Sequence, residues 1–307
     1  MVSKALNEDN LSIKNSHDVK FAIIGGDLRY IRIAQLLADE GFNIYAVGFD
    51  KSSELFGNIK ISDSIKESIK NSKYIILPMP VMTNGSDKIN SPFSDKLLSI
   101  DDVLSSLTSE KILFGGRFPK KIIEFAKSND IKIYDYLECE ELAVANAIPT
   151  AEGAIQIAME ELPITIDGCK SLTLGYGRVA KALCSRLSAL CANNTIAVRS
   201  DKALEQIKND SLKGIKLDKI SEIIGDMDII FNTIPSLILD EKLLKKVNPK
   251  TLIIDLASKP GGVDFQLAKE HSIKTIWALS LPGKVAPYTA GKIIKDTILN
   301  YIKANQQ

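Results

Sequence analysis

The feature that most constrains this chain is a pattern it uses twice. An apolar run ends in glycines, passes directly into a stretch of helical period, and is followed by a second apolar run with a polar end. FAIIGGDLRYIRIAQLLADEGFNIYAVGFD and SLTLGYGRVAKALCSRLSALCANNTIAVRSD share this order. Strands buried on both faces read as continuous apolar runs, and parallel neighbours need helical crossovers. The pattern therefore predicts a parallel sheet covered by helices. It continues along the chain: 19–24, 43–47, 74–77, 111–114 and 132–134 read as strands of one sheet, and 171–174, 195–198, 229–232, 252–255 and 274–278 as strands of another. A length of 307 residues suits about two domains. The expected fold is α/β, two doubly wound Rossmann-like domains with a cleft between them, a common place for a ligand. The expected division is a first, substrate-binding domain over 1–149, a dinucleotide-binding domain over 150–289 and a closing helix over 290–307. TAEGAIQIAMEE, 150–161, reads as a connecting helix capped by Thr150, and 290–304 as an amphipathic last helix.

The second glycine turn carries G-x-G-x-x-A at Gly175, Gly177 and Ala180, with Tyr176, Arg178 and Val179 between them. The first glycine permits a tight strand-to-helix turn, the second lets a pyrophosphate approach the backbone, and the alanine lets helix and strand pack closely. The phosphates then meet the N–H groups and positive end of the helix. Where an NAD site carries an acidic residue about 20 positions on, this chain has Arg199-Ser200-Asp201-Lys202. A guanidinium and a hydroxyl suit a 2′-phosphate, which favours NADP. NAD stays open, because Asp201 could turn inward to a 2′-hydroxyl and Arg199 could be a solvated loop residue. Carboxyl ends of later strands supply further candidates for cofactor and substrate: Asn232-Thr233-Ile234-Pro235, Asp255-Leu256-Ala257-Ser258, and Ser280 with Lys284.

The first turn, Gly25-Gly26-Asp27, lacks the later small residues. Tyr30 at the helix-packing position and Asp27 in the anion pocket oppose a pyrophosphate, although Asp50 ends the next strand as in a rival NAD site. This turn is read as substrate-contacting or purely structural. Thr83 and Asn84 lie on a proline-kinked loop after one strand. Arg117 follows another, placed either for a carboxylate or for a surface ion pair.

Charge and residue usage narrow the chemistry. A net charge of +1 lacks the basic excess of nucleic-acid or membrane-surface binders. No window approaches the roughly 20 apolar residues of a membrane span, and the first residues are polar rather than signal-like, so a cytoplasmic location is expected. Cys139, Cys169, Cys184 and Cys191 form no CxxC pair and lie apart from the two histidines, so no metal site is expected. His17 precedes the first strand, and His271 lies at the opposite end of a strand from the ligand edge. Neither is placed as the acid/base of an alcohol oxidation, and no catalytic residue is assigned. Substrates that aromatise on losing hydride remain open.

IIGGDLRYIRIAQLLADEGFNIYAVGFD, AIPTAEGAIQIAMEELPITIDGCKSLTLGYGRVAKAL and LSLPGKVAPYTAGKII together resemble the family of dipicolinate synthase A subunits from spore-forming bacteria, over about Val19 to Ile302. The later motifs are also similar to alanine dehydrogenase-like and adenosylhomocysteinase-like proteins; the GGDLR-to-GFD opening is the more specific part. The resemblance implies dehydration and oxidation of 4-hydroxy-tetrahydrodipicolinate to dipicolinate with NADP as acceptor, on a branch of the lysine/diaminopimelate pathway. It also implies a flavoprotein-like B subunit of the same synthase and the mother-cell cytoplasm during sporulation; an oligomeric assembly is expected beside it. A dicarboxylate substrate makes Thr83, Asn84, Arg117, Ser280 and Lys284 its candidate contacts. Two other readings stand beside it: an alanine dehydrogenase-like NAD(P) oxidoreductase for another small acid, and an NADP-binding subunit that does no chemistry.

Overall fold

The computed structural model describes residues 19–55, 57–83 and 86–305. The chain divides into two compact units, Met1–Leu142 with Pro287–Gln307, and Ala143–Ala286. In the first, the order is β1 (Lys20–Ile24), α1 (Leu28–Asp39), β2 (Asn43–Val47), β3 (Ile59–Ile61), α2 (Ile65–Lys70), β4 (Tyr74–Ile76), α3 (Ile100–Leu104), β5 (Ile112–Gly115), α4 (Lys120–Ser128) and β6 (Lys132–Asp135). A long helix α5 (Glu140–Glu161) leads into the second unit. There follow β7 (Lys170–Leu174), α6 (Arg178–Ala189), β8 (Asn193–Val198), α7 (Asp201–Asn209), β9 (Lys213–Lys216), β10 (Ile229–Asn232), α8 (Glu241–Leu244), β11 (Leu252–Asp255), α9 (Phe265–Glu270), β12 (Thr275–Trp277) and α10 (Leu281–Val285), before α11 (Pro287–Ala304).

Both sheets are parallel throughout and share one topology. The first runs β3-β2-β1-β4-β5-β6 and the second β12-β11-β10-β7-β8-β9, which is the same 3-2-1-4-5-6 order counted within each unit. This is the doubly wound arrangement, in which strand order reverses beside the first strand and ligands bind at the carboxyl edge there. The central strands are inaccessible: Phe21, Ala22, Ile23 and Ile24 in one sheet, and Leu172, Leu174, Ile230 and Phe231 in the other, are fully buried. Burying each such side chain stabilises the fold by roughly 1.5–3 kcal/mol before chain entropy is counted.

Helix α1 shows how the sequence folds locally. Its Tyr30, Ile31, Ile33, Ala34 and Leu37 recur at helical spacing and are all buried, and the Asp27 carboxylate caps its first turn by accepting from the Arg29 amide. The cap residue Glu40 is followed by Gly41 at φ +87°, a left-handed position that ends the helix.

Four expectations change. Each sheet holds a sixth strand, β3 or β9, that is short, lies at an edge and carries lysine among few apolar residues. The connecting helix begins at Glu140 and carries Pro149 in its interior. Thr150 is consequently no cap; its hydroxyl donates to the Asn146 carbonyl at 2.7 Å, the i−4 position within the helix. The last helix starts at Pro287 and belongs to the first unit, where Gly291 lets it approach α1: a Cβ there would lie 2.7 Å from the Arg29 carbonyl oxygen. Lys295 on α11 pairs with Glu40 and with Asp296. Among the described residues, no helix is long and apolar enough to cross a membrane.

Candidate functional site

In the second unit the strand order reverses between β7 and β10, and the glycine turn lies there. Gly175 has φ +97°, and a Cβ on it would meet the Thr233 hydroxyl oxygen at 2.5 Å. That glycine is required by the protein itself. Thr233, at the end of β10, sends both its amide and its hydroxyl to the Leu174 carbonyl, at 3.0 and 2.7 Å, and stitches the turn to the sheet. Gly177 is different. Its φ of −81° and ψ of −167° suit any residue, and a Cβ there would meet nothing within 4 Å. Nothing within the fold demands glycine at 177, yet its bare backbone faces open space at the N-terminus of α6. It also leaves that terminus without a side-chain cap. This is the surface a pyrophosphate needs, and the residues present fit the group.

The neighbours divide into structural and available groups. Ala180 is fully buried against the sheet. The Tyr176 hydroxyl donates to Asp210 Oδ2 at 2.6 Å, and the Lys181 ammonium lies 5.4 Å from its ring centre. Burial pushes the Tyr176 hydroxyl above its ordinary pKa, with the Asp210 bond adding to the effect. Tyr176 thus anchors the turn, leaving only its backbone for a phosphate. Arg178 is exposed on the first turn of α6, and Val179 beside it is half-buried. Ile234 packs next to the Gly175 turn, and Pro235 is exposed beyond it.

At the end of β8, Arg199 is exposed and its Nη2 lies 3.4 Å from the Ser236 Oγ. Ser200 caps α7 by accepting from the Ala203 amide at 3.2 Å. Lys216, at the end of β9, was not marked by the sequence. Its ammonium donates to the Arg199 carbonyl at 2.9 Å and pairs with Asp201 Oδ1 at 2.8 Å. That bond holds the Asp201 carboxyl below its ordinary pKa. Arg199, Lys216, Asp218 and the apolar Leu217, Leu237 and Ile238 line a hollow of about 450 Å³. The signal that could have found Lys216 was its place at the carboxyl end of a strand, which the sequence hides because KGIK holds no apolar run.

Two further strand ends turn inward. Asn232 and Asp255 are fully buried and bonded to each other at 2.8 Å. Asn232 also engages both polar groups of Ile234, and Asp255 accepts from the Ala257 and Gly262 amides at 3.0 and 2.8 Å. Their polar groups hold the strand-end loops rather than a ligand, which corrects the expectation for this pair. Ser280 is exposed at φ +61°, and Lys284 lies on α10 rather than in a loop, exposed in its last turn.

The first unit's glycine turn is filled by its own chain. A Cβ on Gly25 would lie 2.8 Å from the Asn90 carbonyl oxygen, which accepts the Gly26 amide at 2.7 Å. Gly26, at φ +118°, lies against the Tyr30 ring. The Asp27 carboxylate occupies the anion position and forks with the buried Arg29 guanidinium, whose Nη2 also reaches the Met79 carbonyl at 2.8 Å. Burial is the largest single influence on Arg29 and opposes its charge, but the Asp27 carboxylate together with the neighbouring Tyr30 and Tyr136 raises its pKa overall. Asp50 accepts from the Ser94 hydroxyl and the Asp95 amide. The chain's own groups thus take up the space of this turn.

Beyond that turn, Thr83 and Arg117 line one hollow of about 480 Å³ with Ser86, Asp87 and Phe118. Arg117 is held at φ +61° by Asp135, which accepts its amide at 2.9 Å. A non-glycine residue so placed costs of order 1 kcal/mol, a strain often kept where it aims a functional side chain. Among the described residues its guanidinium makes no ion pair. Asn84 and His17 lie outside the described residues, and His271 follows α9 at the amino-terminal side of β12.

The family model for the N-terminal domain of the dipicolinate synthase A subunit matches residues 20–137. A Bacillus subtilis (strain 168) protein described as the A subunit of dipicolinate synthase is 36% identical over 283 residues, 91% of this chain and 94% of that protein. The crystal structure of the dipicolinate synthase A subunit from Bacillus halodurans superposes with a TM-score of 0.86 at 29% identity, covering 94% of this chain and 98% of the other. An L-alanine dehydrogenase shares the fold alone, with a TM-score of 0.64 at 12% identity over 93% of this chain and 90% of that one.

Proposed function

The chain belongs to the family of dipicolinate synthase A subunits, and on that premise we propose that it is an oxidoreductase forming dipicolinate from 4-hydroxy-tetrahydrodipicolinate. Loss of water from that compound gives a dihydropyridine dicarboxylate; loss of a hydride and a proton from the ring then gives the aromatic product. Bound NADP supplies the hydride acceptor. The observation that carries the reading is the bare, open backbone at Gly177 above a capless helix terminus.

Around it each residue has a proposed task. Gly175, Gly177, Arg178 and Val179 offer backbone to the pyrophosphate, and Thr233 and Ile234 shape the wall of the turn. Arg199 and Ser200 donate to a 2′-phosphate, a preference that a donor-rich strand end supports. Arg117 and Thr83 grip a substrate carboxylate, and Ser280 and Lys284 are further polar contacts to substrate. No histidine is needed, because aromatisation of the ring drives the transfer. A second, flavoprotein-like subunit is the proposed partner, and the mother-cell cytoplasm of a sporulating bacterium the proposed location.

The test is turnover. Freshly prepared 4-hydroxy-tetrahydrodipicolinate is supplied with NADP or NAD, with and without the partner subunit, while reduced cofactor and dipicolinate are followed by absorbance. Equal amounts of both products, faster with NADP, are expected. Absence of dipicolinate in every arm would sink the assignment.

A further inference from the structure

We propose that Lys216 is a specificity-determining residue that makes the end of β8 select a 2′-phosphate over a 2′-hydroxyl; the inference rests on the dinucleotide reading of the second unit. Asp201 follows β8 in sequence, in the region where an acidic side chain would accept from a ribose hydroxyl. Lys216 engages it at 2.8 Å and takes up the Arg199 carbonyl at 2.9 Å with the same ammonium. Two acceptors that would welcome a hydroxyl are thereby turned to one cation. What the strand end presents is weighted towards donors: the Arg199 guanidinium near Ser236, and the Ser200 hydroxyl at the start of α7.

A phosphate is acceptor-only and anionic, whereas a hydroxyl is neutral and needs an acceptor to distinguish it. The charges decide the same way. Arg199, Lys216, Asp201 and Asp218 form a balanced set around or beside the hollow. Without Lys216 it becomes one cation against two carboxylates, with Asp201 released, which repels phosphate and suits a hydroxyl.

The experiment measures dissociation constants of 2′,5′-ADP and 5′-AMP for the full chain by calorimetry, in wild type, Lys216→Met, Asp201→Asn and the double variant. Wild type should prefer 2′,5′-ADP, and Lys216→Met should cut that preference by about tenfold, as expected for losing one charged partner. The double variant should recover part of it, because the released carboxylate is gone. An unchanged preference in Lys216→Met overturns the inference while leaving the dinucleotide reading standing. So does a double variant no better than the single one, which would leave Lys216 as a direct phosphate ligand. Wild type binding neither nucleotide overturns both readings.

Discussion

The two glycine turns begin from the same backbone demand and end in opposite states. In the first unit, the space beside Gly25 and Gly26 holds the Asn90 carbonyl and the Tyr30 ring, and Asp27 occupies the anion position, tied to Arg29. In the second, Thr233 closes against Gly175 only, and Gly177 faces open space. One turn has become part of the core; the other leaves its helix terminus open and without a side-chain cap. The same doubly wound sheet thus leaves its helix terminus open only where the residues following the first glycine stay small and no neighbouring loop enters the turn.

The comparison breaks most visibly by adding a methyl group. Gly26→Ala would push a Cβ into the Tyr30 ring at a left-handed backbone position and should lower unfolding stability by about 3 kcal/mol, read from urea midpoints. A cost under about 1 kcal/mol would mean the first turn is not filled as described. Gly177→Ala sharpens the contrast from the other side. Its Cβ meets no atom of the protein, so stability should change by less than about 1 kcal/mol while NADP affinity falls at least about tenfold. Undiminished affinity would remove the reason for glycine there.

A third effect is expected in alkali. Burial raises the pKa values of Tyr30 and Tyr136, whose hydroxyls bond at 2.5 Å in the first unit. The folded state therefore favours their protonated forms, so this contribution is intact below the ordinary value of 10.0 and lost as pH rises above it. Tyr30→Phe with Tyr136→Phe should be about 1 kcal/mol less stable at pH 8. It should also lose less than wild type between pH 9 and 11; an identical alkaline slope would contradict the assignment. The smallest effect is a labelling order. Burial lifts Cys184 to about 11, and it and Cys169 are buried, whereas Cys191 is exposed and Cys139 half-buried. An aromatic disulfide reagent at pH 8 should modify Cys191 first and Cys139 next, reaching the buried pair only on unfolding. Early modification of Cys184 would show that α6 opens readily.

Much of this was legible in the residues. Strands buried on both faces could be read because burial favours apolar side chains, as at Phe21–Ile24 and at Leu172 and Leu174, with the buried Thr173 between them bonded to Asn194. The Gly175–Ala180 turn was legible because strand, turn and helix follow one another in sequence. The edge strands were not, since Ile59–Ile61 and Lys213–Lys216 bury too little to repeat an apolar pattern, and Lys216 was missed with them. Pro149 misled because a proline usually ends a helix, yet α5 runs through it, with the Thr150 hydroxyl bonding inside the turn. Asn232 and Asp255 looked like ligand contacts because strand-end polar residues often are. Their mutual bond is invisible without the pairing of β10 with β11.

By itself the sequence determined the alternation of strand and helix, the parallel sheets and the place of the open glycine turn. All of these follow from local backbone geometry and from which residues tolerate full burial. Only the tertiary structure decided which polar groups remain available at those turns. Availability depends on what distant segments bring: Asn90 and Met79 to the first turn, Thr233 to the second, Lys216 to Asp201. Hydrogen-bonding capacity is finite, and a donor or acceptor used within the fold is no longer offered to a ligand.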